Sequence, residues 1–129
     1  MKKYFSLLAL SLIILGACKT ATNQTGAGLV GKLVVVENCG HYVVTLEKGN
    51  LDPGKLAANW KDDKRNASYI AAFAVANPCS FGKTGLKEGD RFSFEIVEQP
   101  EAENCAVCMM YYPTPEQKLA IKNIRKLDK

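Results

Sequence analysis

The sequence predicts an all-β, or β-rich α+β, domain: a small closed barrel of five to six strands with one short helical turn. Three observations carry this. Short runs of β-branched and aromatic residues recur between clusters of Gly, Pro, Asn and Asp. One run, "RFSFEIVEQ" from Arg91 to Gln99, alternates Phe92, Phe94 and Ile96 against Ser93, Glu95 and Val97, the period-two pattern of a half-buried strand. A long insertion follows the second run and a Gly-rich link precedes the fourth, a spacing that suggests closure into a barrel.

The chain opens "MKKYFSLLALSLIILGACKT". Lys2 and Lys3 make a positive start, and Tyr4 to Leu15 are apolar. As a helix that stretch reaches about 18 Å, short of the roughly 30 Å of a hydrocarbon core, so it reads as a cleaved signal helix rather than a span. Gly16 and Ala17 are small, as a peptidase cleft requires, and Cys18 follows. "LGAC" resembles the lipobox of bacterial lipoproteins. That resemblance implies a signal at 1–17 cut before Cys18, a diacylglycerol on the Cys18 thiol, and an acyl chain (palmitate class) on its new amine. The other reading is an ordinary secretory signal with an incidental cysteine. More than one acyl chain gives stable anchoring. Lys19 is not acidic, which by the same resemblance points to the outer membrane, facing the periplasm. Residues 18–28, small and polar, read as a flexible lipid tether, and 29–129 as the barrel domain.

Within the domain, "LVGKLVVVEN" (Leu29 to Asn38) and "HYVVTLEKG" (His41 to Gly49) flank the turn "NCG" and form a hairpin. Asp52 before Pro53 is a helix start, and Leu56 and Trp60 lie four apart, which predicts one short helical turn with Trp60 plugging the core beneath it; a sugar platform is the alternative use of that ring. "KDDKRN" (Lys61 to Asn66) reads as a solvated loop. "SYIAAFAVANP" is a buried strand, "CSFGKTGLKEGD" a loop, "PEAEN" a turn and "AVCMMYY" the fifth strand, with Tyr111 and Tyr112 on opposite faces. The tail is two-valued: Thr114, Pro115 and Gln117 take capping-box positions ahead of a helical stripe, yet "KLAIKNI" also alternates as a strand.

Loss of Lys2 and Lys3 lowers the net charge from +4 to +2, which gives no nucleic-acid footprint. The mature chain of about 110 residues is enough for one core. Four cysteines remain beyond Cys18: Cys39, Cys79, Cys105 and Cys108. An even number in an oxidising compartment favours disulfides, in any of three pairings. If Cys105 and Cys108 lay in one extended strand, their Cα atoms would be about 10 Å apart, beyond the roughly 7 Å a disulfide tolerates. A redox CxxC places its first thiol at a helix start, whereas Met109 to Pro113 reads as strand. A metal reading uses Cys39, His41, Cys79, Cys105 and Cys108, with the soft Met109 and Met110, for Zn or Cu(I). His41 otherwise reads as a surface or cross-strand residue.

The arrangement looks like an OB-type barrel. "NCG" (Asn38 to Gly40), "NPCSF" (Asn77 to Phe81), "GDRFSF" (Gly89 to Phe94) and "CAVCMMYYPTPE" (Cys105 to Glu116) also resemble small, largely uncharacterised envelope lipoproteins of Bacteroidota. The resemblance implies a strand in the tail. An OB-like barrel further implies that all four cysteines meet at one pole, with Cys39 paired to Cys108 and Cys79 to Cys105. No nucleophile motif or phosphate-cradling loop is present, "GAG" (Gly26 to Gly28) lies in the tether, and Glu98, Glu101 and Glu103 read as a solvated turn. The expectation is a membrane-anchored, non-enzymatic envelope lipoprotein without a cofactor. It would bind an envelope protein or small ligand, and not nucleic acid, through the loop-bearing pole. The alternatives are a metal-binding and a thiol-disulfide lipoprotein.

Overall fold

The structure, a computed structural model, describes residues 28–106 and 108–128. The expected signal at 1–17, Cys18, and the tether up to residue 27 lie outside the described residues. The elements are β1 (Leu29–Glu37), β2 (His41–Lys48), a 3₁₀ turn (Pro53–Lys55), β3 (Ala57–Asp62), β4 (Ala67–Val75), α1 (Pro78–Gly82), β5 (Arg91–Ile96), β6 (Lys118–Leu119) and β7 (Ile121–Lys126). Among the described residues no helix is long and apolar enough to cross a membrane.

The strands form one seven-stranded sheet in the order β3-β4-β2-β1-β5-β7, antiparallel except where β6 pairs β4 in parallel. This corrects the closed OB-like barrel expected from the sequence. The end strands of the path, β3 and β7, do not pair with each other. β6 is joined to β7 by the chain at Ala120, not by a ladder. The cause lies in the tail, where Leu119, Ala120 and Ile121 are all buried in succession. Three inward residues in a row break the period-two alternation, so one predicted strand becomes two, each on a different neighbour.

Other elements also differ from expectation. The helical turn spans only Pro53–Lys55, capped by the Asp52 carboxylate on the Gly54 amide. Trp60 instead lies in β3, opposite Tyr69 of β4, with the rings 5.8 Å apart and stacked. "CSFG", expected as loop, belongs to α1. "AVCMMYY" has no strand among its described residues. The β1–β2 hairpin, the β4 strand and the alternation of β5 stand where the sequence places them, with Phe92, Phe94 and Ile96 all turned inward.

The core is built on aromatic rings. Phe73 of β4 meets Phe94 at 5.8 Å, Phe94 meets Phe92 at 5.6 Å, Phe92 meets Phe81 of α1 at 5.8 Å, and Phe81 meets Tyr42 of β2 at 4.8 Å. Such tilted pairs add a directional preference to plain area burial. The row of rings runs from mid-sheet to one end of the molecule, where α1 caps the core.

Gly31 of β1 is a tightly packed point on the sheet's inner face. A Cβ there would meet Val44 Cγ1 at 2.7 Å and Phe94 Cε1 at 3.1 Å. Gly31→Ala is expected to lower the unfolding free energy by about 1–3 kcal/mol, because overpacking outweighs the smaller gain from stiffening the unfolded chain. Urea denaturation followed by tryptophan fluorescence measures it; an unchanged midpoint would refute the close packing.

Candidate functional site

Three local devices build the end of the molecule capped by α1. Phe81, 1% exposed, anchors the five-residue helix into the core. Asn77, just before it, acts as a side-chain strand: Nδ2 donates to the Ile121 carbonyl at 2.7 Å, and Oδ1 accepts from the Ile121 amide at 2.9 Å. The β1–β2 turn abuts Pro78: Cys39 and Gly40 both have positive φ, and a Cβ on Gly40 would lie 2.8 Å from the Pro78 Cβ. A left-handed cysteine is uncommon, and only a hydrogen side chain fits at Gly40.

Over this frame passes the irregular segment between Ile96 and Lys118. It brings Cys108 to Cys39 and Cys105 to Cys79 at disulfide distance, with Cα separations of 5.2 and 6.2 Å. These are the pairs that the OB-like resemblance implied, although the closed barrel itself is not found. The pole gathers all four cysteines for another reason: α1 carries Cys79, and the irregular segment is free of strand geometry. Cys39 and Cys79 are half-buried, and Cys105 and Cys108 are exposed.

All four cysteines line a cavity of about 790 Å³, together with Tyr42, Pro78, Gly82 and the stretch Pro100–Glu103. A second cavity of about 600 Å³ on the far side shares Pro100–Glu103, so that stretch is a strap between two hollows. Glu103, expected in a solvated turn, fastens the strap. Its carboxylate accepts the Cys79 amide at 2.7 Å, the Ser80 amide at 2.8 Å and the Ser80 hydroxyl. Burial pushes its pKa up, but the Ser80 hydroxyl, the two amides and the Lys83 charge outweigh burial and hold the carboxyl below its usual range.

The other end of the segment is held by a network that sequence reasoning missed. Asp62, read as part of a solvated loop, is 3% exposed. It accepts the Tyr112 hydroxyl at 2.8 Å and the Lys64 amide at 3.0 Å. The Arg65 guanidinium reaches Glu37 at 2.8 Å, Glu88 at 3.0 Å, Asp62 at 3.3 Å and the Tyr112 oxygen at 2.7 Å. Burial pushes the Asp62 carboxyl up, but the Tyr112 hydroxyl and the Arg65 contacts hold it below the usual range. Burial, then the neighbouring Asp62, pushes the Tyr112 phenol up to about 12. The only hint in the sequence was the density of paired charges in "KDDKRN".

Between the two anchors the described residues are exposed. Met109 is 93% and Tyr111 87% exposed, whereas Tyr112 is half-buried. His41 bonds through Nε2 to the Met110 carbonyl at 2.9 Å, which makes it a backbone clamp. Of the metal set that the sequence offers as an alternative, Cys79 and Cys105 join Glu103 in a group whose ligand atoms lie within 4.8 Å of one another; Cys39, His41 and Cys108 are not part of it.

Tyr112→Phe removes the hydroxyl from Asp62 and Arg65 and is expected to cost about 1–3 kcal/mol. The pH limbs follow from signs. Asp62, Glu37 and Glu103 titrate lower folded than unfolded, so their stabilisation is complete above about pH 4.5 and is lost as pH falls through the folded values. Tyr112 titrates higher folded, so its contribution is complete below about pH 10 and is lost as pH rises towards 12. Urea midpoints across pH, with phenolate absorbance for the alkaline limb, should show both; a Tyr112→Phe protein with an unchanged alkaline limb would rule out this assignment. No protein-family model, curated protein or solved structure matches the chain, so the site stands on its own geometry.

Proposed function

We propose that the protein is a lipid-anchored envelope lipoprotein whose cysteine pole is a non-enzymatic binding or accessory module. The observation that carries this is the strap-bounded cavity. The segment between Ile96 and Lys118 is longer than the roughly 12–15 residues at which structureless loops become uncommon, and it is pinned within its length at Glu103 and at Tyr112 beside a hollow. The cavity falls within the roughly 300–1,000 Å³ of ligand sites. Loops fixed to a rigid frame are where binding residues concentrate.

"LGAC" and the leader before it support lipidation at Cys18 and, with Lys19, residence at the outer membrane facing the periplasm. The geometry suits an outward-facing module. β1 begins at Leu29, next to the tether, and ends beside the Cys39 turn, so the pole stands roughly 25–30 Å from the anchored end. The partner is an envelope protein or a small ligand.

A second reading rests on one measurement, the mutual proximity of Cys79, Glu103 and Cys105. In reduced protein these offer two thiolates and a carboxylate, a set suited to Zn. Zinc content of reduced, refolded protein, with and without Glu103→Ala, tests it; loading that ignores Glu103 would dismiss it.

Cys18→Ser is expected to abolish palmitate labelling. Retention of label would overturn the anchor. The binding role is tested separately by photo-crosslinkers at Ala102 and Tyr111, against a control at Lys48 far from the pole. Adducts from the pole alone are expected; equal labelling at Lys48 would argue against a polar site.

A further inference from the structure

Each cysteine pair joins one half-buried residue to one exposed residue. The exposed members are Cys105 and Cys108, and the half-buried ones are Cys79 and Cys39. All four open onto one cavity, and the charged side chains lining that cavity are Glu101 and Glu103, both acidic. A Glu103 oxygen lies within 4.8 Å of the sulfurs of Cys79 and Cys105. Glu101 is exposed at the rim.

We infer that this cavity is a thiol–disulfide exchange site that takes positively charged thiols and rejects negatively charged ones. It does not depend on the pole being a docking surface, since an incoming thiol needs to reach only one sulfur. In the step, an external thiolate attacks the Sγ of Cys105, the exposed member of its pair. The Cys105–Cys79 bond breaks, its electron pair leaves on Cys79 as thiolate, and a mixed disulfide forms on Cys105. Cys108 reacts in the same way, with Cys39 leaving. Return of the leaving thiolate restores the bridge. A second external thiolate instead completes reduction, so that two thiols are oxidised to one disulfide and one protein bridge becomes two thiols. No further oxidant enters.

Exchange rate depends on access to the attacked sulfur and on the local field. Access selects Cys105 and Cys108. The field selects by charge: the two carboxylates attract an ammonium on the incoming molecule and repel a carboxylate, and they outnumber the one cation acting on Glu103, Lys83. At the distances of an open cavity, changing the substituent from negative to positive is worth about tenfold in rate at low ionic strength. Salt screens it, since the Debye length is about 10 Å at 0.1 M.

The test uses the oxidised native protein and three probes: cysteamine, β-mercaptoethanol and mercaptopropionate. Rates are expressed per thiolate and corrected for basicity. Adducts are mapped by peptide mass spectrometry after the released thiol is alkylated. The expected order is cysteamine fastest and mercaptopropionate slowest, about tenfold apart at low salt and converging at high salt, with adducts on Cys105 or Cys108. Glu101→Gln, a surface change, should narrow the spread by about threefold without moving the melting temperature. Charge-independent rates, adducts on Cys39 or Cys79, a spread insensitive to both salt and Glu101→Gln, or protein isolated with four free thiols would each overturn the inference.

Discussion

Burial of Phe81 is the contact on which the pole depends. A helix of five residues cannot stand alone, because isolated helices shorter than about 12–15 residues are marginal in water. It persists because its one fully buried side chain closes the end of the aromatic row between Tyr42 and Phe92. With Phe81 fixed, Cys79 and the amides of Cys79 and Ser80 have fixed positions. Glu103 and Cys105 can then be met by a segment that has no regular structure of its own. The same packing puts Pro78 against Gly40 and so sets the neighbouring Cys39 in the hairpin turn.

That segment is held by few, discrete contacts of unequal size. On a chain-entropy argument, closing the 26-residue separation of Cys79 and Cys105 is worth about 3.5 kcal/mol, and the 69-residue separation of Cys39 and Cys108 about 4.4 kcal/mol. The smaller loop lies inside the larger, so the two are not independent and their sum is an upper bound. A single hydrogen bond, such as His41 to the Met110 carbonyl, is worth about 1 kcal/mol. The cysteine pairs therefore dominate the ordering of the strap, while Glu103 and the Asp62–Tyr112–Arg65 network set its direction. Exposure of Met109 and Tyr111 between these anchors is a consequence of the pinning.

The parts legible in the sequence were those whose signal is local. Phe92, Phe94 and Ile96 alternate because one face of β5 is buried, and the hairpin around "NCG" is readable because strand residues stop at turn residues. The misread parts depend on partners far along the chain. "AVCMMYY" has the composition of a strand, but β4 and β5 already pair with the tail through β6 and β7. Trp60 and Leu56 have helical spacing, yet the ladder with β4 overrides it. Asp62 looks like any loop carboxylate until Tyr112, fifty positions away, closes on it. α1 is too short to show a period, and with α1 unseen the role of Glu103 could not be inferred.

The pairing of Cys79 with Cys105 and the three-ligand group that includes Glu103 are alternative uses of the same atoms. As a bridge, the sulfurs are neutral and the Glu103 carboxylate is satisfied by α1. Opening the bridge as thiolates would crowd up to three negative charges within 4.8 Å, a repulsion that favours the closed state. Protonation of the thiols relieves it, and so does a cation, whether an ammonium carried by an incoming thiol or a metal ion that binds all three groups. Binding of a metal and preference for a cationic thiol therefore share one electrostatic cause. An oxidising compartment would keep thiolates scarce and so hold the pole in its bridged state.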